Sequence, residues 1–205
     1  MSSSQAPRLY LASASPRRRE LLAQIGLPYL LLPQHIDESL LAGESPEAYV
    51  QRLARHKAEA GWGDGNRLLD LPVLAADTTV VCEGCVLGKP ATLAECREML
   101  LMLSARTHQV LTAIAVIRGE LLQQTVVSTE VGFRQLTLDE IDAYWQSGEP
   151  KDKAGAYGIQ GKAALFVDRI AGSYSNVVGL PLYETGSLLE HFGISCIPLL
   201  KGCGK

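Results

Sequence analysis

Short apolar runs alternate along the chain with longer stretches in which apolar residues recur every three or four positions. The short runs predict strands and the longer stretches predict amphipathic helices. The predicted strands lie at residues 8–12, 26–33, 71–77, 107–118, 120–135 and 163–170, with a hairpin around residues 83–84. The turn at Arg118-Gly119-Glu120 divides the two longest strands.

The predicted helices begin at a capping residue or a proline, and most of them end near a glycine. They cover residues 15–26, 45–61, 92–105, 137–148 and 181–193. Their starts are marked by Ser15-Pro16, Ser45-Pro46, Pro181 and the capping-box pairs Thr92/Glu95 and Thr137/Glu140.

This order of elements predicts an α/β fold. Hairpin-joined strands are mixed with strand-helix-strand units, which favours a mixed sheet with flanking helices. The run "LPVLAAD" at residues 71–77 lacks alternation, as in a strand buried on both faces. Residues 63–72 fit a loop as well as a boundary between units. With no internal repeat and no long low-complexity linker, we expect one α/β domain.

Composition and charge narrow the classes of function. Nineteen basic and 22 acidic residues among 205 give a net charge of −3, which argues against a stable nucleic-acid partner. No apolar run reaches the roughly 18–20 residues of a membrane span. The start "MSSSQAPR" lacks the basic and apolar regions of a signal peptide. We therefore expect a cytoplasmic protein without a membrane partner.

The five cysteines show no disulfide-framework spacing. Cys82 and Cys85 form a C-x-x-C pattern, for which a zinc or redox role is one interpretation. Cys196 and Cys203 do not supply the spacing of a second zinc-binding pair. The pattern therefore favours two cysteines flanking a Glu83-Gly84 hairpin turn.

The stretch "LYLASASPRRRELLAQIG" at residues 9–26 places three arginines in the first turn of a helix. Cations at a helix N-terminus are disfavoured by roughly 0.3–1 kcal/mol each. Either the turn is solvated, or it faces a strongly anionic ligand. In the second case Ser13, Ser15 and the backbone N–H groups form an anion cradle beside Arg17 and Arg18.

The chain has neither of the phosphate-binding motifs G-x-x-x-x-G-K-[ST] and G-x-G-x-x-G. A bound phosphate would therefore be held largely by cationic side chains, and two lysines are further candidates. Lys57 lies on the apolar stripe of Val50, Leu53 and Ala54. Its ammonium either snorkels to the surface or points toward a buried anion. Lys89, in "LGKP", precedes a proline. Taken singly, each lysine is more often structural.

Asp77 ends the apolar run "VLAAD" and is followed by Thr78 and Thr79. A carboxylate at the end of a buried strand is costly unless it is paired, caps a helix or binds a metal. Because a β-rich stretch follows rather than a helix, a functional role is favoured. Asp37 and Glu38 supply a second carboxylate, or are simply solvated.

Seven motifs in order resemble those of the Maf-like nucleoside triphosphate pyrophosphatases. They are "LASASPRRRELL", "RLARHKA", "VLAADTTV", "GKP", "THQVLTAIAV", "DKAGAYGIQG" and "NVVGLPL", and the resemblance as a whole covers about residues 9–193. The resemblance implies metal-dependent hydrolysis of a nucleoside triphosphate to the monophosphate and pyrophosphate. It also implies a single two-lobed domain over residues 1–205, with the site in a cleft and a fold related to inosine triphosphate pyrophosphatases. A homodimer and a Mg²⁺ or Mn²⁺ cofactor are implied as well.

The motif match also implies roles for individual residues. Asp77 is expected to be the catalytic carboxylate, as general base, metal ligand or both, and Glu38 is expected to be a second acidic residue at the metal. The groups expected to bind substrate are Ser13, Arg17, Arg18, Lys57, Thr78, Lys89 and Gln160.

The resemblance separates two branches of the family. The 7-methyl-GTP branch tends to have tryptophan after the first-motif proline, "SDQ" instead of "ADT" and "KSEG" instead of "GIQG". This chain has Arg17, Thr78 and Gln160 at those positions, which is similar to the dTTP/UTP branch. Removal of non-standard nucleotides and a link to cell-division arrest are further expectations. A nucleotide-binding regulator without turnover is the main rival.

Overall fold

The structure is a computed structural model that describes residues 6–197. Within that range the strands are β1 (Leu9–Leu11), β2 (Tyr29–Leu31), β3 (Val73–Cys82), β4 (Cys85–Leu87), β5 (Thr107–Arg118), β6 (Leu121–Phe133) and β7 (Val167–Ala171). The α-helices are α1 (Pro16–Gln24), α2 (Pro46–Gly63), α3 (Leu93–Leu103), α4 (Leu138–Gln146), α5 (Tyr174–Val178) and α6 (Leu182–Glu190). No helix in the described part of the chain is long and apolar enough to cross a membrane.

The strands form one mixed sheet in the order β2-β1-β3-β5-β6-β7. β1 pairs in parallel with β2 and β3, whereas the pairs β3–β5, β5–β6 and β6–β7 are antiparallel. The short β4 pairs with the end of β3. With helices packed against this sheet, the predicted α/β fold with a mixed sheet and flanking helices is confirmed. The division into two lobes stays a prediction.

β3 is buried on both faces, which explains its apolar run without alternation. On one face Leu74 belongs to a core shared with Leu22 of α1 and Leu100 of α3. On the other face Ala75 belongs to a second core shared with Ala54 of α2. The sheet is therefore a middle layer between helices.

The hairpin predicted around Glu83-Gly84 is confirmed. Both residues have positive φ, 51° and 78°, as a two-residue hairpin turn of the I′ type requires. Cys82 and Cys85 are direct partners across this turn, the first buried and the second exposed, and both are free thiols. Cys203 lies outside the described residues.

Of the two predicted capping boxes, one is complete. The Thr137 hydroxyl accepts from the N–H of Glu140, whose carboxylate accepts from the N–H of Thr137. Thr92 likewise accepts from the N–H of Glu95. The Glu95 carboxylate, however, accepts from the N–H of Ala91 rather than that of Thr92.

Several predicted boundaries differ from the structure. β7 begins at Val167, because residues 162–165 form a 3₁₀ turn. α5 was not predicted, and α6 ends at Glu190, before Gly193. The Ser15 side chain makes no capping hydrogen bond. Residues 64–72 form a loop.

Gly61 lies inside α2, which continues to Gly63, so the prediction that it ends the helix is wrong. A Cβ atom at Gly61 would lie 2.9 Å from Cγ1 of Val73 and 3.2 Å from Cβ of Ala12. Glycine therefore permits the close approach of α2 to β3 and to Ala12, the residue after β1. Lys57, one turn earlier in α2, is brought to β3 by the same approach.

We expect Gly61→Ala to lower the melting temperature. Overpacking costs about 1–3 kcal/mol, whereas the gain in helix propensity is at most about 1 kcal/mol. Gly63→Ala is the matched control, because no heavy atom lies within 4 Å of the Cβ position there. Thermal unfolding followed by circular dichroism compares the two, and a Gly61→Ala protein as stable as the wild type would rule out this packing role.

Candidate active site

One edge of β3 is only partly covered by other strands. β5 pairs with one edge over residues 73–81, whereas on the other edge β1 pairs only with residues 73–74 and β4 only with residues 80–82. Residues 75–79, with Asp77 at their centre, therefore border an opening beyond the carboxyl end of β1. In α/β folds, ligands bind outside the carboxyl ends of strands.

A cavity of about 820 Å³ lies at this opening. Asp37 does not line the cavity, but nine other residues that the sequence nominated for the site do, although they come from segments far apart in the chain. These residues are Ser13, Arg17, Arg18, Glu38, Lys57, Asp77, Thr78, Lys89 and Gln160. Their chemical roles stay predictions.

Lys57 and Asp77 form a buried ion pair. Nζ of Lys57 lies 2.7 Å from Oδ1 of Asp77 and 2.5 Å from Oε1 of Glu38. Asp77 is 7% exposed and Lys57 9%, whereas the Glu38 side chain is 47% exposed. Since a buried carboxylate is costly without a partner, the ammonium of Lys57 is what allows Asp77 to lie in a buried strand.

Glu38 is held as an anion by the surrounding cations. Burial by itself would raise its pKa, but the hydrogen bond from Lys57 and the charges of Lys57, Lys89 and Arg18 lower the pKa overall. The neighbouring Asp37 is fully exposed and accepts hydrogen bonds from Ser39 instead. Of the two acidic residues nominated by the sequence, Glu38 is the one that contacts the ion pair.

The donor set fits a divalent cation. Mg²⁺ is usually held by one or two carboxylates together with substrate phosphates and water. Here the carboxylates of Glu38 and Asp77 already converge on one cationic atom, Nζ of Lys57. Within residues 6–197 no group of three His, Cys, Asp or Glu side chains is placed to hold a metal. The other ligands would therefore come from phosphate oxygens and water.

Arg18 is a buried cation that binds neutral acceptors. It donates from Nε to the carbonyl oxygen of Gly179 at 2.8 Å, from Nη1 to Oγ of Ser13 at 3.1 Å, and from Nη2 to Oγ1 of Thr78 at 3.1 Å. Burial lowers its pKa, which the charge of Asp77 opposes. Its guanidinium forms no salt bridge within the described residues, so its charge is available to an anion in the cavity.

The remaining nominated side chains are less buried. Arg17 Nη1 lies 3.7 Å from Oδ2 of Asp152, whose other oxygen accepts from Nζ of Lys153 at 2.7 Å. Lys89 and Gln160 are exposed residues of the cavity lining. Arg17 thus pairs with the carboxylate of Asp152, which the sequence did not predict.

Four polar residues near the site were missed by the sequence analysis. Tyr157 lines the cavity, and its hydroxyl lies 2.8 Å from Nε2 of His108. Burial lowers the pKa of His108 to about 4. Thr112 and Asn176 are fully buried and connect to Thr78. For His108, Thr112 and Asn176 the available signal was a polar residue within the apolar runs "THQVLTAIAV" and "NVVGLPL", because buried polar groups need partners.

Comparison with known proteins assigns the chain to a family. The profile of the family described as Maf-like protein matches residues 8–192. A protein of Pseudoalteromonas atlantica named dTTP/UTP pyrophosphatase is 52% identical over 192 residues, covering 91% of this chain and 98% of that protein. Proteins of the same name from Bordetella parapertussis and Methylococcus capsulatus are 54% and 50% identical, covering 92% and 95% of this chain and 94% and 96% of theirs.

Among solved structures, a HAM1 protein from Coxiella burnetii is similar with a TM-score of 0.50 and 19% identity, covering 91% of this chain and all of that one. At this identity the likeness concerns the fold alone. The family profile and the three relatives extend over nearly the whole chain, and on that evidence the chain belongs to the Maf-like protein family.

Proposed function

We propose that the protein hydrolyses dTTP and UTP to the nucleoside monophosphate and pyrophosphate. The observation that carries the proposal is that Lys57, Asp77 and Glu38 lie at one opening in the sheet together with Arg18, whose guanidinium forms no salt bridge within residues 6–197. A polyanion with an electrophilic phosphorus matches this set of charges. The names of the relatives support the same class of substrate.

The cations bind and stabilise the phosphates. Arg18 presents a guanidinium whose other hydrogen bonds go to neutral groups, so a phosphate oxygen can satisfy its charge. Lys57 and Lys89 add two further positive charges at the cavity. Such preorganised cations stabilise the negative charge that builds on the α-phosphate and on the leaving pyrophosphate.

Asp77 acts on the attacking water. The water gives a proton to the carboxylate, its oxygen bonds to the α-phosphorus, and the bond from that phosphorus to the bridging oxygen breaks to release pyrophosphate. The hydrogen bond from Lys57 orients the carboxylate of Asp77. A bound Mg²⁺ or Mn²⁺, held by Glu38 and Asp77, would neutralise phosphate charge and act as a Lewis acid.

Gln160 is proposed to recognise the base. Uracil and thymine present a carbonyl next to an imide N–H, and a glutamine amide can donate to the first and accept from the second. Cytosine lacks that N–H. Sites that hydrogen-bond a substrate reject analogues that leave their polar groups unpaired.

Some parts of the proposal rest on the family resemblance alone. These are the two-lobed arrangement of a single domain, the homodimer, the removal of non-standard nucleotides and the link to cell-division arrest.

The proposed reaction predicts pyrophosphate release from UTP and dTTP in the presence of Mg²⁺ or Mn²⁺, slow release from CTP and almost none from 7-methyl-GTP. EDTA should abolish the release. A coupled pyrophosphate assay with this panel measures it. Tight binding of UTP without turnover would instead support the regulator without catalytic activity.

Asp77→Asn should reduce the turnover of UTP at least about 100-fold, because the general base is lost while the side chain keeps its shape. Asp70→Asn is the matched control, since Asp70 is exposed and pairs with Arg118 outside the cavity. Near-wild-type turnover by a folded Asp77→Asn protein would remove Asp77 from the mechanism.

Gln160→Glu should lower the turnover of UTP, because a carboxylate cannot donate to the ring carbonyl. Gln124→Glu makes the same change of charge on an exposed position of β6 away from the cavity, and should leave turnover unchanged. Competition between equal concentrations of UTP and CTP reports the preference directly. Equal consumption by the wild type would refute base recognition by Gln160.

A further inference from the structure

Three hydrogen bonds link Arg18 to the interior of the protein through two threonines. Nη2 of Arg18 lies 3.1 Å from Oγ1 of Thr78, which lies 2.9 Å from Oγ1 of Thr112. Oγ1 of Thr112 in turn lies 3.0 Å from the carbonyl oxygen of Asn176. Thr78 and Thr112 are direct partners of β3 and β5, and Thr112 is fully buried.

The direction of each of these three hydrogen bonds follows from which groups can donate. A carbonyl oxygen only accepts, so the single hydroxyl proton of Thr112 goes to Asn176. Thr78 must then donate its own proton to Thr112. A guanidinium only donates, so the lone pairs of Thr78 accept from Arg18. With all three bonds pointing the same way, each polarises the next.

This direction changes the role open to Thr78. Its one proton is donated to Thr112. As long as these hydrogen bonds are intact, Thr78 has no proton to donate to a ligand. It can still accept through two lone pairs, and Arg18 donates to one of them. Thr78 therefore acts on a substrate through the guanidinium that it orients.

A second connection to Arg18 comes from the same helix as Asn176. Nε of Arg18 donates to the carbonyl oxygen of Gly179, which directly follows α5. The Asn176 side chain, fully buried, ties α5 to the sheet by donating to the carbonyl oxygen of Val110 and to Oγ1 of Thr129, both at 2.9 Å. Arg18 is therefore connected to α5 twice, directly through Gly179 and through the two threonines to Asn176.

Gly179 is suited to this arrangement. Its φ is 124°, in the region that favours glycine, and a Cβ atom there would lie 3.4 Å from Oγ1 of Thr78 and 3.8 Å from Nε of Arg18. The backbone of Gly179 can therefore approach the guanidinium and the threonine together.

We propose that Thr112 is a positioning residue, which fixes the hydroxyl of Thr78 as an acceptor and thereby holds the guanidinium of Arg18 in the orientation that binds the triphosphate. The proposal rests on the proposed function for the identity of the ligand. The arrangement of donors and acceptors is independent of that identity.

Thr112→Val removes the hydroxyl and keeps the branched shape. We expect kcat/KM for UTP to fall about 10-fold, because Thr78 is no longer held as an acceptor toward Arg18. Thr112→Ser keeps the hydroxyl and should retain most of the activity. Thr185→Val is the matched control: Thr185 is also fully buried, but its hydroxyl has no hydrogen-bond partner in the described residues, so its loss should leave kcat/KM unchanged.

A merely structural effect of Thr112→Val is distinguished by a double-mutant cycle. If both threonines act in one chain on Arg18, Thr78→Val together with Thr112→Val should be no worse than the more impaired single variant. Fully additive losses in kcat/KM, or equal losses in Thr112→Ser and Thr112→Val, would overturn the proposal. Melting temperatures identify any variant whose loss comes from unfolding.

Calorimetric binding of UTP in EDTA separates this proposal from the proposed function. Thr112→Val should weaken UTP about 10-fold, whereas Thr112→Ser and Thr185→Val should not. If the wild type binds UTP without hydrolysing it, the proposed function fails and the affinities still decide the role of Thr112. Unchanged affinity in Thr112→Val, or no UTP binding by the wild type, contradicts the positioning role.

Discussion

The structure depends on the compensation of one buried carboxylate. Asp77 lies in the middle of β3, a strand covered on both faces, and an ionised carboxylate there needs a cation. Lys57 supplies it from α2, and Glu38 shares the same ammonium. The close packing of α2 at Gly61 brings Lys57 to β3. The opening between β1 and β4 gives this cluster access to the cavity.

The elements that the sequence predicted well are those fixed by local signals. The Glu83-Gly84 turn requires positive φ, and the capping box of α4 needs only residues three positions apart. Gly61 was wrongly predicted to end α2, because a glycine near a helix end is the usual stop signal in a sequence. Its role is instead to allow close packing against residues distant in the sequence. α5 was missed because it is only five residues long and Asn176 ties it to β5 and β6.

The same distinction applies to the site. Its charged residues were nominated from local anomalies: arginines in the first turn of a helix, a lysine on an apolar stripe and an aspartate at the end of a buried run. Their pairing was not predictable, since Lys57 and Asp77 are 20 positions apart and Arg18 and Gly179 are 161 apart. The direction of the threonine chain appears only when donors and acceptors are assigned in three dimensions.

The central claim is that the triphosphate binds at the opening beside β3, with Arg18 and Lys57 on the α-phosphate. A crystal structure with Mg²⁺ and a UTP analogue that cannot be hydrolysed between the α- and β-phosphates tests it most directly. We expect the α-phosphate to contact Arg18 and Lys57, with Asp77 facing the phosphorus across a water molecule. A triphosphate bound away from this opening would contradict the account.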